Sequence, residues 1–124
     1  MTPILFNTRD ESVKLDLDKM VYAESDGNFL RMTFLNGQVF TIALTLQKLE
    51  EILEHSAPES DRRYIRIGRH YIVDRRYITH INIQKQALVL SDLEHLKPIA
   101  LSVPKEALKR LKGCLTNETG EKES

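Results

Sequence analysis

The stretch Arg62–Tyr77, RRYIRIGRHYIVDRRY, concentrates the residues best able to do chemistry. Six arginines and three tyrosines fall within sixteen residues of a chain whose formal net charge is zero. A guanidinium offers a rigid fork of donors that fits phosphate oxygens and guanine edges. This is the chemistry of a nucleic-acid surface. Tyr64, Ile65, Ile67, Ile72 and Val73 are interleaved with the arginines, so the segment reads as a folded basic face and not as a disordered basic tail.

The zero net charge conceals an asymmetry. Residues 1–60 carry a balance of −5, residues 61–112 one of +7, and residues 113–124 one of −2. Opposite signs in different parts of a chain suit a molecule that turns one face to a polyanion. The alternative is that the charges sit on solvated faces, where they contribute little. The predominance of arginine over lysine inside the cluster favours the first reading.

At 124 residues the chain is the size of one domain with a single modest core. Hydrophobic residues make up 41% and charged residues 29%, an ordinary globular balance. Cys114 is the one cysteine, which excludes an internal disulfide and a Cys-based zinc site and fits a reducing cytoplasm. The opening MTPILFNTRDESV has no basic start and no long apolar run, so it does not read as a signal peptide. No stretch approaches the length of a membrane-spanning helix.

Strand signals dominate. Met20–Ser25 is expected to be a strand ending at the turn Ser25-Asp26-Gly27-Asn28, with Asn28 tolerating a left-handed backbone. Phe29–Leu35 alternates, placing Leu30, Met32 and Phe34 on one face and Arg31 and Thr33 on the other. Asn36-Gly37 signals a type I′ hairpin turn leading into a return strand over Gln38–Leu44. Thr45 then suits a helix N-cap, and Leu46, Leu49, Ile52 and Leu53 form an apolar stripe at helical spacing. The loop Ala57-Pro58-Glu59-Ser60 ends that helix.

Tyr64–Ile67 and His70–Asp74 read as strands interrupted by a bulge or turn at Gly68. Tyr77–Ile83 and Gln86–Ser91 form a further hairpin, and Leu96–Leu101 a strand that Pro98 confines to an edge or a bulge. A closing helix is expected over Pro104–Lys112, preceded by Ser102 and capped by Gly113. The fold expected is mainly β, with antiparallel strands and hairpins in small sheets and two short α-helices.

Other chemistries find little support. His55, His70, His80 and His95 lack HxH or HxxxH spacing, so a metal site would have to be assembled by tertiary structure. Glu24 and Asp26 suggest turn chemistry before an acid pair or a magnesium site. The chain has no glycine-rich phosphate loop and no nucleophile elbow. Catalysis is not expected, and neither is a cofactor.

Three segments in order carry a resemblance: VYAESDGNFLRMTFLNGQVFTIALTLQKLEEIL, YIRIGRHYIVDRRYITHI and LVLSDLEHLKPIALSVPKEALKRL. Together they resemble the LytTR DNA-binding domain. That family shows a strand ending in Glu-x-x-Gly-Asn, a hairpin, an LxxLEE-type helix and an RxHRSYIVN-type strand, then a strand, Ser and a short helix. The resemblance covers residues 10–112. The domain is expected over residues 10–113, after an extension at 1–9 and before an acidic, disordered tail at 114–124.

What the resemblance implies is a cytoplasmic bacterial transcriptional regulator that presents loops to the major grooves of double-stranded DNA. Direct repeats are the expected target, with two molecules side by side on one promoter. Since 124 residues leave no room for a receiver domain, the chain resembles the freestanding members.

Six residues emerge as candidate DNA contacts. The resemblance places Asn28 against DNA in the first turn, and Arg66 and Arg69 match the first and fourth positions of the arginine-rich motif. Arg69 follows Gly68 and should project from a loop to read a base; a phosphate contact or an ion pair with Asp74 is the alternative. Arg66, alternating with Tyr64 on a strand, suits a phosphate. Ser102 matches the family serine, serves also as an N-cap, and could hold a phosphate together with Lys105.

Gly68, His70, Asp74 and Pro104 depart from the family pattern. His70 joins the candidate contacts where serine is common. Arg62, Arg63, Arg75 and Arg76 are expected to act only diffusely, partly neutralised by Asp61 and Asp74. Those departures and the acidic first half also support another reading, a protein-interaction module that modulates a DNA-binding relative without binding DNA strongly itself.

Overall fold

The alternating patterns become ten short strands in the computed structural model, which describes residues 3–7, 9–56, 63–92, 94 and 96–119. The strands lie in three antiparallel sheets, accompanied by two α-helices. This is the expected fold class. The chain divides into two units, residues 1–75 and 76–124.

The first unit begins with a hairpin that the sequence reading did not assign, β1 (Ile4–Asn7) paired with β2 (Ser12–Leu15). Phe6 and Leu15 from this hairpin enter the main core cluster. A 3-10 turn at Leu17–Lys19 leads to β3 (Met20–Asp26), followed by β4 (Phe29–Phe34) and β5 (Val39–Ile42). The helix α1 (Leu46–Ser56) follows, then β6 (Tyr64–Ile67) and β7 (Tyr71–Asp74).

The five strands β3–β7 form one sheet in the order β5-β4-β3-β7-β6. One face is apolar because cross-strand partners share a side: Ala23 lies opposite Met32 and Ile72, and Leu30 opposite Ile42. The helix α1 packs on β3 and β7. Its expected stripe is inward, with Leu46, Leu49 and Leu53 buried and Ile52 partly so. Thr45 is the N-cap foreseen, its Oγ1 accepting the Lys48 N–H at 3.1 Å.

The β4–β5 turn differs from the type I′ expected, since Gly37 has φ +89° while Asn36 keeps an ordinary negative φ. Gly37 donates to the Phe34 carbonyl, and Phe34 donates to that of Gln38, each at 2.9 Å. This is the three-residue loop with one left-handed glycine. Asn36 contributes through its side chain instead, accepting the Gln38 N–H at 2.9 Å.

The second unit contains β8 (Ile78–Asn82), β9 (Ala87–Leu90), β10 (Ile99–Ser102) and α2 (Lys105–Thr119). The sheet order is β10-β9-β8, so β10 lies at an edge; the strand expected over Leu96–Leu101 is shifted to Ile99–Ser102, with Pro98 just before it. Helix α2 packs on β8 and buries Leu108 and Leu111.

Both expected ends of this helix are corrected. Pro104 holds the cap position, its carbonyl accepting from Leu108 N at 3.1 Å, and Ser102 belongs to β10, paired with Ala87. Gly113 lies inside the helix, which continues to Thr119 through residues first read as part of a disordered tail. A lone glycine costs a helix only about 1 kcal/mol, too little to end it against favourable neighbours. The 57–60 loop, Asp61, Arg62, His95 and residues 120–124 lie outside the described residues. No helix among the described residues is long and apolar enough to cross a membrane.

Arg63 is not a diffuse surface charge. Its guanidinium pairs with the Asp18 carboxylate, donates to the Asp18 carbonyl at 2.9 Å, and reaches Asp74 at 3.5 Å. Asp74 is fully buried. Beside it, the Tyr64 hydroxyl donates to the Leu17 carbonyl. These contacts fasten the segment before β3 to the entrance of β6. Removing the guanidinium takes a positive charge away from the fully buried Asp74 and from Asp18, so Arg63→Met should lower the unfolding free energy by about 2–4 kcal/mol. Urea denaturation measures this, and a loss below about 1 kcal/mol would mean that Asp74 does not depend on Arg63.

Candidate nucleic-acid interface

Ile67 pairs with Tyr71, which leaves Gly68, Arg69 and His70 as the turn between β6 and β7. Gly68 has φ +60°, a conformation that other residues reach only at a cost of about 1–2 kcal/mol. The turn-or-bulge alternative resolves as a turn. It exposes both Arg69 and His70. Arg69 makes no ion pair or side-chain hydrogen bond among the described residues. Asp74, once its possible partner, is buried beside Arg63 at the other end of β7.

The β3–β4 turn is shorter. Asp26 pairs with Phe29, leaving Gly27 and Asn28 at the tip. Gly27 has φ +64°, whereas Asn28 does not have positive φ, so the left-handed explanation for Asn28 is corrected. A glycine at the first central position with positive φ is the II′ pattern, which places no such demand on the second residue. Asn28 is exposed.

Pairing of β3 with β7 brings the two turns to one end of the sheet. Ser25 N–H donates to the His70 carbonyl at 2.9 Å. Ser25 Oγ lies 3.1 Å from His70 Nδ1. Asn28, Arg69 and His70, from turns 45 residues apart at the Ser25–His70 contact, therefore occupy one edge.

Arg66 points to the face that α1 covers. Its Nη1 pairs with Glu50 of that helix at 3.0 Å, and its Nε donates to the Gly68 carbonyl at 3.4 Å. It therefore braces the turn that carries Arg69. Glu24 and Asp26 form no free acidic pair, since Arg31 reaches them at 3.9 and 3.3 Å. Among the described residues no group of three His, Cys, Asp or Glu side chains could hold a metal ion.

In the second unit Ser102 is exposed at the end of β10, and Lys105 is exposed in the first turn of α2. Arg76 is exposed with its guanidinium 5.4 Å from the Tyr77 ring centre, and Arg75 is partly buried.

The family model described as the LytTr DNA-binding domain matches residues 10–116. The chain belongs to the LytTR family. A solved LytTr DNA-binding domain, from a Bacillus cereus protein described as a methyl-accepting/DNA response regulator, shows the same fold. It has a TM-score of 0.63 at 19% identity, covering 93% of this chain and 97% of that one. No curated protein matches. Membership of LytTR makes this a DNA-binding domain of a transcriptional regulator, in a family without enzymatic activity.

Within this LytTR domain, sequence reasoning missed Ser25 and Glu50, which hold the candidate contacts His70 and Arg66, and Asp18, which anchors Arg63. Ser25 was read only as part of a turn, Glu50 only as part of a helix, and Asp18 not at all. Ser25 and Asp18 each meet a partner 45 residues away, beyond the reach of any local signal.

Tyr71, next to His70, has its phenol held above the ordinary 10.0, first by burial and then by the Glu24 carboxylate and Tyr22. Folding thus favours the neutral phenol. Its contribution is complete below pH 10.0 and lost as pH rises through the higher folded value. Tyr71→Phe should therefore lose less thermal stability than the parent as pH is raised past 10.0. Equal losses would show that Tyr71 does not govern the alkaline limb.

Proposed function

We propose that this LytTR domain is a sequence-specific regulator of transcription that reads double-stranded DNA with the adjacent β3–β4 and β6–β7 turns. The observation that carries this reading is their common edge, tied by the Ser25–His70 backbone bond and presenting an exposed Arg69 without a described partner. Arg69 reads a guanine edge in the major groove; Asn28 and His70 flank it. Arg66 keeps its place as a phosphate contact through Nη2, while Nη1 and Nε hold Glu50 and the turn. Ser102 and Lys105 hold backbone phosphate at the start of α2.

The targets are direct repeats, with two molecules side by side on one promoter in the bacterial cytoplasm. This extends what the family resemblance implies. Base-reading turns of one short domain span only a short site, and repetition multiplies their discrimination.

Selection of retained duplexes from a random pool at moderate salt tests the reading, and a short repeated motif should be enriched. On the enriched duplex, Arg69→Ala should cost about 1–3 kcal/mol and flatten preference at one base position. Lys105→Ala should weaken all duplexes alike and lower the salt slope by about 1. If no duplex is retained even at low salt, the edge instead serves a protein partner and the domain is an interaction module.

A further inference from the structure

We propose that Ser25 is a positioning residue that aims the His70 imidazole at the DNA backbone, so that His70 Nε2 donates to a phosphate oxygen and grips harder when the ring gains a second proton. The proposal rests on the DNA-binding reading of the two turns and adds a proton-linked contact to it.

Two bonds join the same two residues. The backbone bond, Ser25 N–H to the His70 carbonyl at 2.9 Å, sets where the turn lies. The side-chain contact, Ser25 Oγ to His70 Nδ1 at 3.1 Å, sets how the ring is turned. With Nδ1 occupied, Nε2 is the nitrogen left for a ligand, on an exposed residue adjoining Arg69.

A hydroxyl suits this place because it both donates and accepts. When the ring is neutral, Ser25 donates to Nδ1 and the ring proton resides on Nε2, which can donate to an acceptor such as phosphate. When the ring is charged, Nδ1–H donates to Ser25 Oγ and Nε2–H still points outward. The orientation therefore survives protonation while the charge rises by one.

The neighbouring carboxylates are committed elsewhere. On β3, Asp26 bonds Arg31 of β4 at 3.3 Å. Glu24 lies 3.9 Å from Arg31 and close enough to Tyr71 of β7 to hold that phenol neutral. On α1, Glu50 pairs with Arg66 of β6 at 3.0 Å. Arg69, in the same turn, adds positive charge. A proton gained by His70 is thus not neutralised by a bonded carboxylate, and its charge is available to a phosphate.

The test is fluorescence anisotropy with the duplex enriched by the parent chain, at about pH 6 and about pH 8, each over a salt series. The parent should bind several-fold tighter at the lower pH, with a salt slope steeper by about 1, one additional phosphate neutralised. His70→Gln should bind the same duplex without that change in slope. Ser25→Ala should lose most of the His70-dependent gain, and Ser25→Thr, which keeps the hydroxyl, should restore it. Nitrogen NMR of the free protein should show His70 with its proton on Nε2 in the parent and a mixture of tautomers in Ser25→Ala.

A parent that binds while His70→Gln keeps the same pH and salt dependence overturns the proposal and leaves the interface standing. So does a Ser25→Ala variant that behaves as the parent. A parent that retains no duplex overturns the interface and this contact together.

Discussion

The antiparallel pairing of β3 with β7 is the constraint on which the candidate site depends. It joins a meander, β3–β4–β5, to a hairpin, β6–β7, formed after an intervening helix. A hairpin turn closes locally and at low entropic cost. This pairing closes a much longer loop, which is repaid through the Ala23–Ile72 register and the apolar face that α1 covers. Strand register then decides everything at the edge. A slip of one residue would invert each side chain on β7, turning Ile72 out of the core and separating Ser25 from His70.

The arginine cluster shows how one residue type takes different roles over a few positions. Arg63 stands at the entrance to β6 and is drawn into a largely buried pairing with Asp18 and Asp74. Arg66, on the helix-facing side of β6, becomes a brace between Glu50 and the turn. Arg69, beyond the last strand pair, meets solvent. A buried guanidinium must be paired because of its desolvation cost, whereas an exposed one keeps its fork available for another molecule. Burial sets Arg63 apart and the Glu50 pairing sets Arg66 apart from Arg69, the arginine best placed to read DNA.

Much of the fold was legible because its signals are local. Alternation from Phe29 to Phe34, the glycine turns at 27 and 37, and the Thr45 cap each depend on neighbours within a few residues. Even there the details shifted, since a glycine signal marks a turn without specifying which residue carries the positive φ. The first hairpin was not legible, because the residues between its strands, Thr8-Arg9-Asp10-Glu11, include no glycine or proline to signal a turn. Gly113 misled for a related reason: a weak local preference yields to the helix on either side of it.

By itself the sequence determined the β-rich class, the position of α1, the basic segment and the family to which its motifs point. These are properties of short stretches, where side-chain alternation, turn residues and caps act on adjacent backbone. The tertiary structure alone decided that Asn28, Arg69 and His70 share an edge, that Asp74 belongs to a buried pair with Arg63, and that Arg66 is tied to Glu50. Each of those outcomes needs residues far apart in the chain to meet, and the register of the β3–β7 pairing and the packing of α1 bring them together.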